Sequence, residues 1–228
     1  MKKRVIEKIY KAVGGPSVAK MGGDGYKAGP TDAGKYVIAY CGRHSSRLYA
    51  DWSKIRWGSS IKEENGKIFV YHNNRWQHLS KLTTLGREDI LDYHEELYGT
   101  RIIPKKWVFN DFGHQTCYFF KDLNKNRRLD KNKGEKIHSE FIHPTPNNEA
   151  SSARGLPVIL TESHGCIHVK PKDIDEMSKK GYLKAGNIII IHKYNEIAPI
   201  QPIGQGNPPY QVHFYPNSQR LVIYGVKK

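Results

Sequence analysis

Apolar and polar residues alternate over short runs through most of the chain, and turns rich in glycine or asparagine separate the runs. That period of two predicts a mainly β protein with α-helical insertions. Residues 35–40 read as one strand, and residues 68–71 as another that follows the Asn65-Gly66 turn. Residues 107–120 and 137–142 read as paired strands. Residues 158–160 read as the strand that delivers residues 163–166, and the uniformly apolar residues 187–192 fit the centre of a sheet. Two stretches follow the helical period instead. In residues 86–99, Ile90, Tyr93 and Leu97 share a face, Glu88 and Asp89 load the first turn, and Gly99 stops the helix. In residues 171–180, Pro171 suits the first turn, Asp173, Asp175 and Glu176 favour the N-terminal end, and Lys179 and Lys180 favour the C-terminal end before Gly181. Trp52, Ile55 and Trp57 are expected in a core, and residues 144–153 read as a loop by composition. Residues 5–10 make a short helical or extended start, followed by the turn glycines of Gly14-Gly15-Pro16 and Gly22-Gly23-Asp24-Gly25. After a Pro/Gly linker at 199–209, residues 210–224 alternate as a two-stranded hairpin.

A length of 228 residues suffices for a buried core, and reads as one domain with an elaboration or as two small ones. The net charge of +15 suits an anionic partner, whether nucleic acid, an acidic membrane or an acidic wall polymer. Its lysines and arginines form no single arm, which fits a solvated cationic surface equally well, and no nucleic-acid-binding motif accompanies them. No run approaches the ~20 apolar residues of a membrane span. Met1-Lys2-Lys3-Arg4 has the positive start of a signal peptide with no apolar segment behind it, so no export signal is visible. Of the three cysteines at least one stays outside an intramolecular pair. Cys41 and Cys117, in strand-like runs, are expected as buried small residues rather than as a disulfide.

The densest chemistry lies in Ser163-His164-Gly165-Cys166-Ile167-His168-Val169. A free thiol, with a pKa near ~8.5, is a poor nucleophile until a base or a positive field acts on it. Gly165 leaves the amides around Cys166 open as oxyanion donors, and His143 offers a base from upstream. Other constellations are weaker. Asp122, Asn124, Asn126 and Asp130 occupy positions 1, 3, 5 and 9 of a calcium loop, but Arg127 and Lys133 stand at its glycine and bidentate glutamate positions, so a basic, solvated loop is expected. Tyr71, His72, Trp76, His78, Tyr93 and His94 have no metal-ligand spacing and read as packing and surface. The early glycines lack the Gly-Lys-Ser/Thr of a phosphate loop, and no His-Glu-x-x-His of a zinc peptidase is present.

Nineteen residues separate His143 from Ser163-His164-Gly165-Cys166, and Gly29-Pro30-Thr31-Asp32-Ala33-Gly34 feeds a strand upstream. In these motifs, over roughly residues 29–192, the chain resembles the L,D-transpeptidase catalytic domain of the YkuD type. The resemblance implies a β-sandwich or barrel with a catalytic cysteine. Cys166 would attack the carbonyl between an L-centre and a D-residue of a peptidoglycan stem peptide, with His143 taking the thiol proton and the amides of His164, Gly165 and Cys166 holding the oxyanion. Ser163 and His168 are expected to shape the cleft and bind substrate. No metal and no cofactor is implied, the partners are stem peptides, and the place is the cell envelope. Without a visible leader, delivery by a secretion system or a trimmed form is the expected route.

The implied organisation is a catalytic domain at residues 1–198 with an elaborated insertion at about 41–136, a linker at 199–209, and a hairpin at 210–228. That hairpin resembles the one with which the family's domain begins. Two readings follow: a circular permutation, in which the C-terminal hairpin completes the catalytic sheet, or an independent edge hairpin. Three departures bear on specificity. The gap before Ser163 is slightly long, Pro144 stands where glycine is common and fixes φ, and His168 stands where arginine is common, which makes a carboxylate contact there pH-dependent. The alternatives are an L,D-carboxypeptidase or secreted wall-targeting toxin on the same scaffold, and an inactive module that binds cell wall or another polyanion.

Overall fold

The computed structural model describes residues 3–45 and 50–227. Strands β1 (Arg4–Val13), β2 (Lys20–Met21), β3 (Lys27–Ala28) and β4 (Gly34–Gly42) come first. Next are β5 (Ile61–Glu64), β6 (Lys67–His72), β7 (Arg75–His78) and helix α1 (Arg87–Tyr98). Then come β8 (Thr116–Phe120), β9 (Ile137–His143), α2 (Pro146–Ala153), β10 (Ile167–Val169) and α3 (Pro171–Lys179). Strands β11 (Ile188–Ile191), β12 (Asn207–Tyr215) and β13 (Arg220–Val226) follow. Two compact units result, one of Met1–Cys41, Cys117–His143 and Leu160–Lys228, the other of Gly42–Thr116 and Pro144–Ile159. Residues 117–136, which the sequence assigns to an insertion, therefore belong with the first unit.

In the first unit eight strands close a barrel in the order β1-β10-β9-β8-β4-β11-β12-β13, which leaves no strand edge open. β9 and β10 run parallel, as do β11 and β12, while β1 is antiparallel to both β10 and β13. Ile38, Phe119, Ile142, Ile167, Ile189 and Phe214, each at most 1 % exposed, form the centre of its core. Burial of each such side chain stabilises the fold by about 1.5–3 kcal/mol. Ile174 and Met177 on α3 join this core. The four isoleucines of β11 pair with β4 on one side and β12 on the other, which explains their unbroken apolar run.

The C-terminal hairpin, β12 and β13, is part of this barrel, and an independent edge hairpin is thereby corrected. β1 extends the short start of the sequence reading to ten residues. The expected linker is fitted to the fold. Ile203 bridges to Ile6, and the Gly204 amide donates to the Ile6 carbonyl at 2.8 Å. Cys41 and Cys117 form a disulfide, contrary to the sequence expectation, because β4 and β8 are neighbours and bring the two Cα atoms to 4.0 Å. The chain thus leaves the barrel strands after one half-cystine and re-enters at the other.

The second unit has its own core, with Ile55, Ile61, Ile68, Val70, Ile90 and Trp107 under the β5-β6-β7 meander and α1. Asn65 and Gly66 both take positive φ between β5 and β6, as the Asn-Gly turn requires. Trp107 is the central tryptophan at 0 % exposure, whereas Trp52 and Trp57 are only half-buried. Residues 107–115, and likewise 158–160, are irregular rather than the strands their apolar residues suggest. Here the fully buried Asn110 supplies order, its amide donating to the carbonyls of His44, Ser53 and Ile55. On α1 the buried face is Ile90, Leu91 and His94, with Tyr93 exposed, a rotation of the predicted face. Residues 146–153 form α2, not a loop. Thr145 caps it by accepting the Asn148 amide, and Pro146 occupies the first turn, a start that the polar composition conceals.

Candidate active site

Two glycine turns cradle residues 163–166. A Cβ on Gly15 would stand 1.9 Å from the Gly29 carbonyl oxygen and 3.1 Å from the Gly165 nitrogen, so only glycine allows this approach. The Gly14 carbonyl accepts the Ser163 amide at 3.0 Å, and the Gly29 amide donates to the His164 carbonyl at 3.4 Å. Thr31 Oγ1, from the Pro-Thr turn, accepts the Gly15 amide at 3.0 Å. Tyr194 ties both turns together, its hydroxyl donating to the Gly15 carbonyl and accepting the Thr31 amide. The early glycines thus serve close packing against residues 163–166.

Ser163 is 4 % exposed, and its hydroxyl accepts the Gly165 amide at 3.0 Å while donating to the Cys166 carbonyl. Both bonds of the hydroxyl are made within its own loop. Gly165 has φ +141°, and a Cβ there would lie 2.7 Å from Glu140 Oε1. His164 is half exposed, with Nε2 3.1 Å from Asp24 Oδ2. It lines a cleft of about 500 Å³ together with Lys20, Asp24, Glu162 and Ser163. Lys20 and Glu162 form an ion pair across this cleft.

Cys166 precedes β10 by one residue, where β9 and the loop diverge. The ladder pairs Ile142 with Ile167 and His143 with His168. Since both isoleucines point into the core, both histidines project from the opposite face. Their rings meet edge to face, with centroids 5.0 Å apart. His168 Nδ1 donates to the Thr161 carbonyl at 2.9 Å, and burial holds its pKa down to about 4, so the ring is neutral. His143 is 4 % exposed. Among the described residues the hydrogen-bond partner of Cys166 Sγ is the Phe141 amide, at 3.4 Å. Burial pushes the thiol up to about 12, with the Glu140 charge adding to the rise and the Phe141 amide opposing it. Cys166 therefore rests as a protonated thiol.

A group absent from the sequence reading lies beside it. The β8–β9 ladder shifts between Tyr118 and Phe120, so that residues 138–140 bulge from β9. The bulge brings His138 and Glu140 to Asp32 of the Pro-Thr turn, with polar atoms of all three within 4.8 Å of one another. They are engaged with each other. The Asp32 amide donates to Glu140 at 3.0 Å, the Glu140 amide donates to His138 Nδ1 at 3.2 Å, and His138 Nε2 lies 3.4 Å from Asp32 Oδ2. Burial raises the Glu140 carboxyl to about 7, assisted by the Asp32 charge against the Asp32 amide. Spacing along the chain carried no signal for this group, because the bulge resets the alternation between Ile142 and His138.

The Asp/Asn loop after β8 closes on itself. Asn124 and Asn126 donate to Asp130, and the buried Glu135 accepts the Leu123 and Asp130 amides.

The family model for the L,D-transpeptidase catalytic domain, YkuD, matches residues 2–191. The chain belongs to the YkuD family. The match runs in chain order from β1 to β11 and leaves the C-terminal hairpin outside it. No curated protein and no solved structure matches the chain. YkuD proteins are cysteine-dependent transpeptidases of peptidoglycan, associated with the cell wall and periplasm. Among the described residues no helix is long and apolar enough to cross a membrane.

Proposed function

We propose that the protein is a peptidoglycan L,D-transpeptidase working through a thioester on Cys166. The observation that carries this reading is the parallel β9–β10 ladder, which sets His143 and the residues flanking Cys166 side by side in a chain matched by the family over 2–191. Cys166 attacks the carbonyl between the L-centre and the terminal D-residue of a stem peptide. His143 takes the thiol proton as substrate arrives and returns it to the departing amine. Since Ser163 holds the Gly165 amide, the amides of His164 and Cys166 are the oxyanion donors in this reading. Ser163 and Gly165 shape the loop, and His168 positions His143.

The thioester then passes to an amine, which gives a crosslink or an exchanged D-residue. The Cys41–Cys117 disulfide supports an oxidising compartment and so the cell envelope. The +15 charge suits an anionic wall matrix. Intact-protein mass spectrometry after brief incubation with tetrapeptide muropeptides tests the reading. A Cys166-dependent acyl adduct with released D-amino acid supports it, and dimeric, exchanged or shortened products identify the acceptor. No adduct and no turnover, with salt-sensitive wall binding that survives Cys166→Ala, would make the protein a binding module instead.

A further inference from the structure

We propose that Glu140 is the proton acceptor for the incoming amine in the second half of the reaction, separate from the His143 that serves the thiol. The inference rests on the thioester reading above. An acceptor amine reaches the enzyme at neutral pH as an ammonium, which cannot attack a carbonyl until it loses a proton. The bulge at 138–140 turns the Glu140 carboxylate against Gly165, so close that a Cβ there would stand 2.7 Å from Oε1, and its charge acts on the Cys166 thiol. The carboxylate therefore lies beside the loop that would carry the thioester, within reach of an amine that attacks from its side.

The groups around Glu140 fit this task. On the turn, the Asp32 amide donates to both Glu140 oxygens, at 3.2 and 3.0 Å, and the exposed Asp32 carboxylate extends the negative surface outward. On β9, His138 accepts the Glu140 amide, and its ring stacks on Phe119 and meets Tyr36 edge-on. On β4, the Tyr36 hydroxyl is spent on the Asp32 carbonyl at 3.2 Å. From the catalytic loop, the facing group is the Cys166 thiol. Two carboxylates thus stand together beside the loop that carries Cys166. Burial lifts Glu140 to about 7, so it changes protonation within the physiological range.

The step balances. One proton passes from the ammonium nitrogen to the Glu140 carboxylate, and the neutral amine adds to the thioester carbonyl. The carbon–sulfur bond breaks as the carbon–nitrogen bond is completed. A second nitrogen proton reaches the departing sulfur through His143. An amide, a neutral Cys166 thiol and a protonated Glu140 remain, and Glu140 then releases its proton to solvent.

The test compares full-length wild type with Glu140→Gln. Acyl-enzyme is formed with a tetrapeptide donor, and its decay is followed by intact mass with glycine as amine acceptor, from pH 5.5 to 9. In Glu140→Gln, aminolysis at pH 7.5 should fall at least about 10-fold more than acylation, and it should climb steadily to pH 9 with the free-amine fraction, whereas the wild type levels off above about 7. Wild-type aminolysis and pH profile in the variant, or equal losses in both halves, would overturn the assignment. A wild type that never acylates would overturn the transpeptidase reading itself. Iodoacetamide alkylation of Cys166 needs no substrate and checks the geometry. Removing the Glu140 charge should move its pH midpoint down, and an unmoved midpoint would place Glu140 too far from the sulfur to act.

Discussion

His143 and His168 stand opposite one another in the parallel ladder of β9 and β10, edge to face at 5.0 Å. One ring is tethered through Nδ1 to the Thr161 carbonyl and held neutral, so it can buttress the other without competing for the proton. His143→Ala should cut acylation about 10²–10⁴-fold. His168→Leu, which fills the site but loses the tether, should cost about 10-fold in the acylation rate with little change in half-saturating donor. Rapid-mix mass spectrometry reads both. Equal losses would make His168 a proton carrier in its own right.

Ser163 holds the loop closed by bridging the Gly165 amide and the Cys166 carbonyl. Ser163→Ala leaves those groups unpaired and should lower stability by about 1–3 kcal/mol. Acylation should slow while donor affinity stays near wild type. A raised half-saturation concentration at unchanged melting temperature would instead put the hydroxyl in contact with substrate.

Gly165→Ala meets two obstacles, a φ of +141° and a Cβ 2.7 Å from Glu140 Oε1. Removing the second with Gly165→Ala/Glu140→Ala should recover little, because the backbone strain of about 1–3 kcal/mol remains. Acylation rates of the two variants decide it, and full recovery in the double variant would assign the whole effect to crowding.

The Cys41–Cys117 bond spans a sequence separation of 76. Replacing both residues by alanine frees a long loop in the unfolded chain and should cost about 2–4 kcal/mol, or roughly 5–15 °C in Tm. Calorimetry of the oxidised and dithiothreitol-treated wild type should show the same difference. Superimposable melts would mean that the bond adds no stability.

Burial holds His44, His168 and His213 down to about 4 against an unfolded value near ~6.5. Groups with lowered pKa contribute stability that is full above the unfolded value and is lost as pH falls toward the folded one. Glu140, raised to about 7, works the other way, and its contribution fades between about 4.5 and about 7. Three histidines against one carboxyl predict a urea midpoint lower at pH 4.5 than at pH 7. An equal or higher midpoint at pH 4.5 would mean that these rings already carry protons in the fold.

The loop around Cys166 was legible because Ser-His-Gly-Cys is a local motif, and β11 and α3 were legible because their apolar periods and caps are local too. Glu140 was not. Its position depends on a bulge set by the pairing of β9 with β8, which spacing along β9 alone does not reveal. The Cys41–Cys117 bond was missed for a related reason, since strand neighbourhood is a property of the closed barrel. α2 was hidden by its polar composition, although Thr145 and Pro146 carry the start of a helix. Gly15 was read as a turn former, but its real constraint is the Gly29 carbonyl 1.9 Å from where a side chain would begin.

β1 pairs with β10 at one edge and with β13 at the other, Arg4 lying opposite Val226. Of the barrel strands β1 is made first, and it must wait for partners made more than 150 and more than 200 residues later. Such distant pairing makes folding slow and leaves a sticky edge exposed meanwhile. It also means that a ribosome-bound or C-terminally truncated chain lacks the strand that closes the barrel around the thiol. Whatever chemistry needs Cys166 in the closed barrel must therefore wait until β13 has been made.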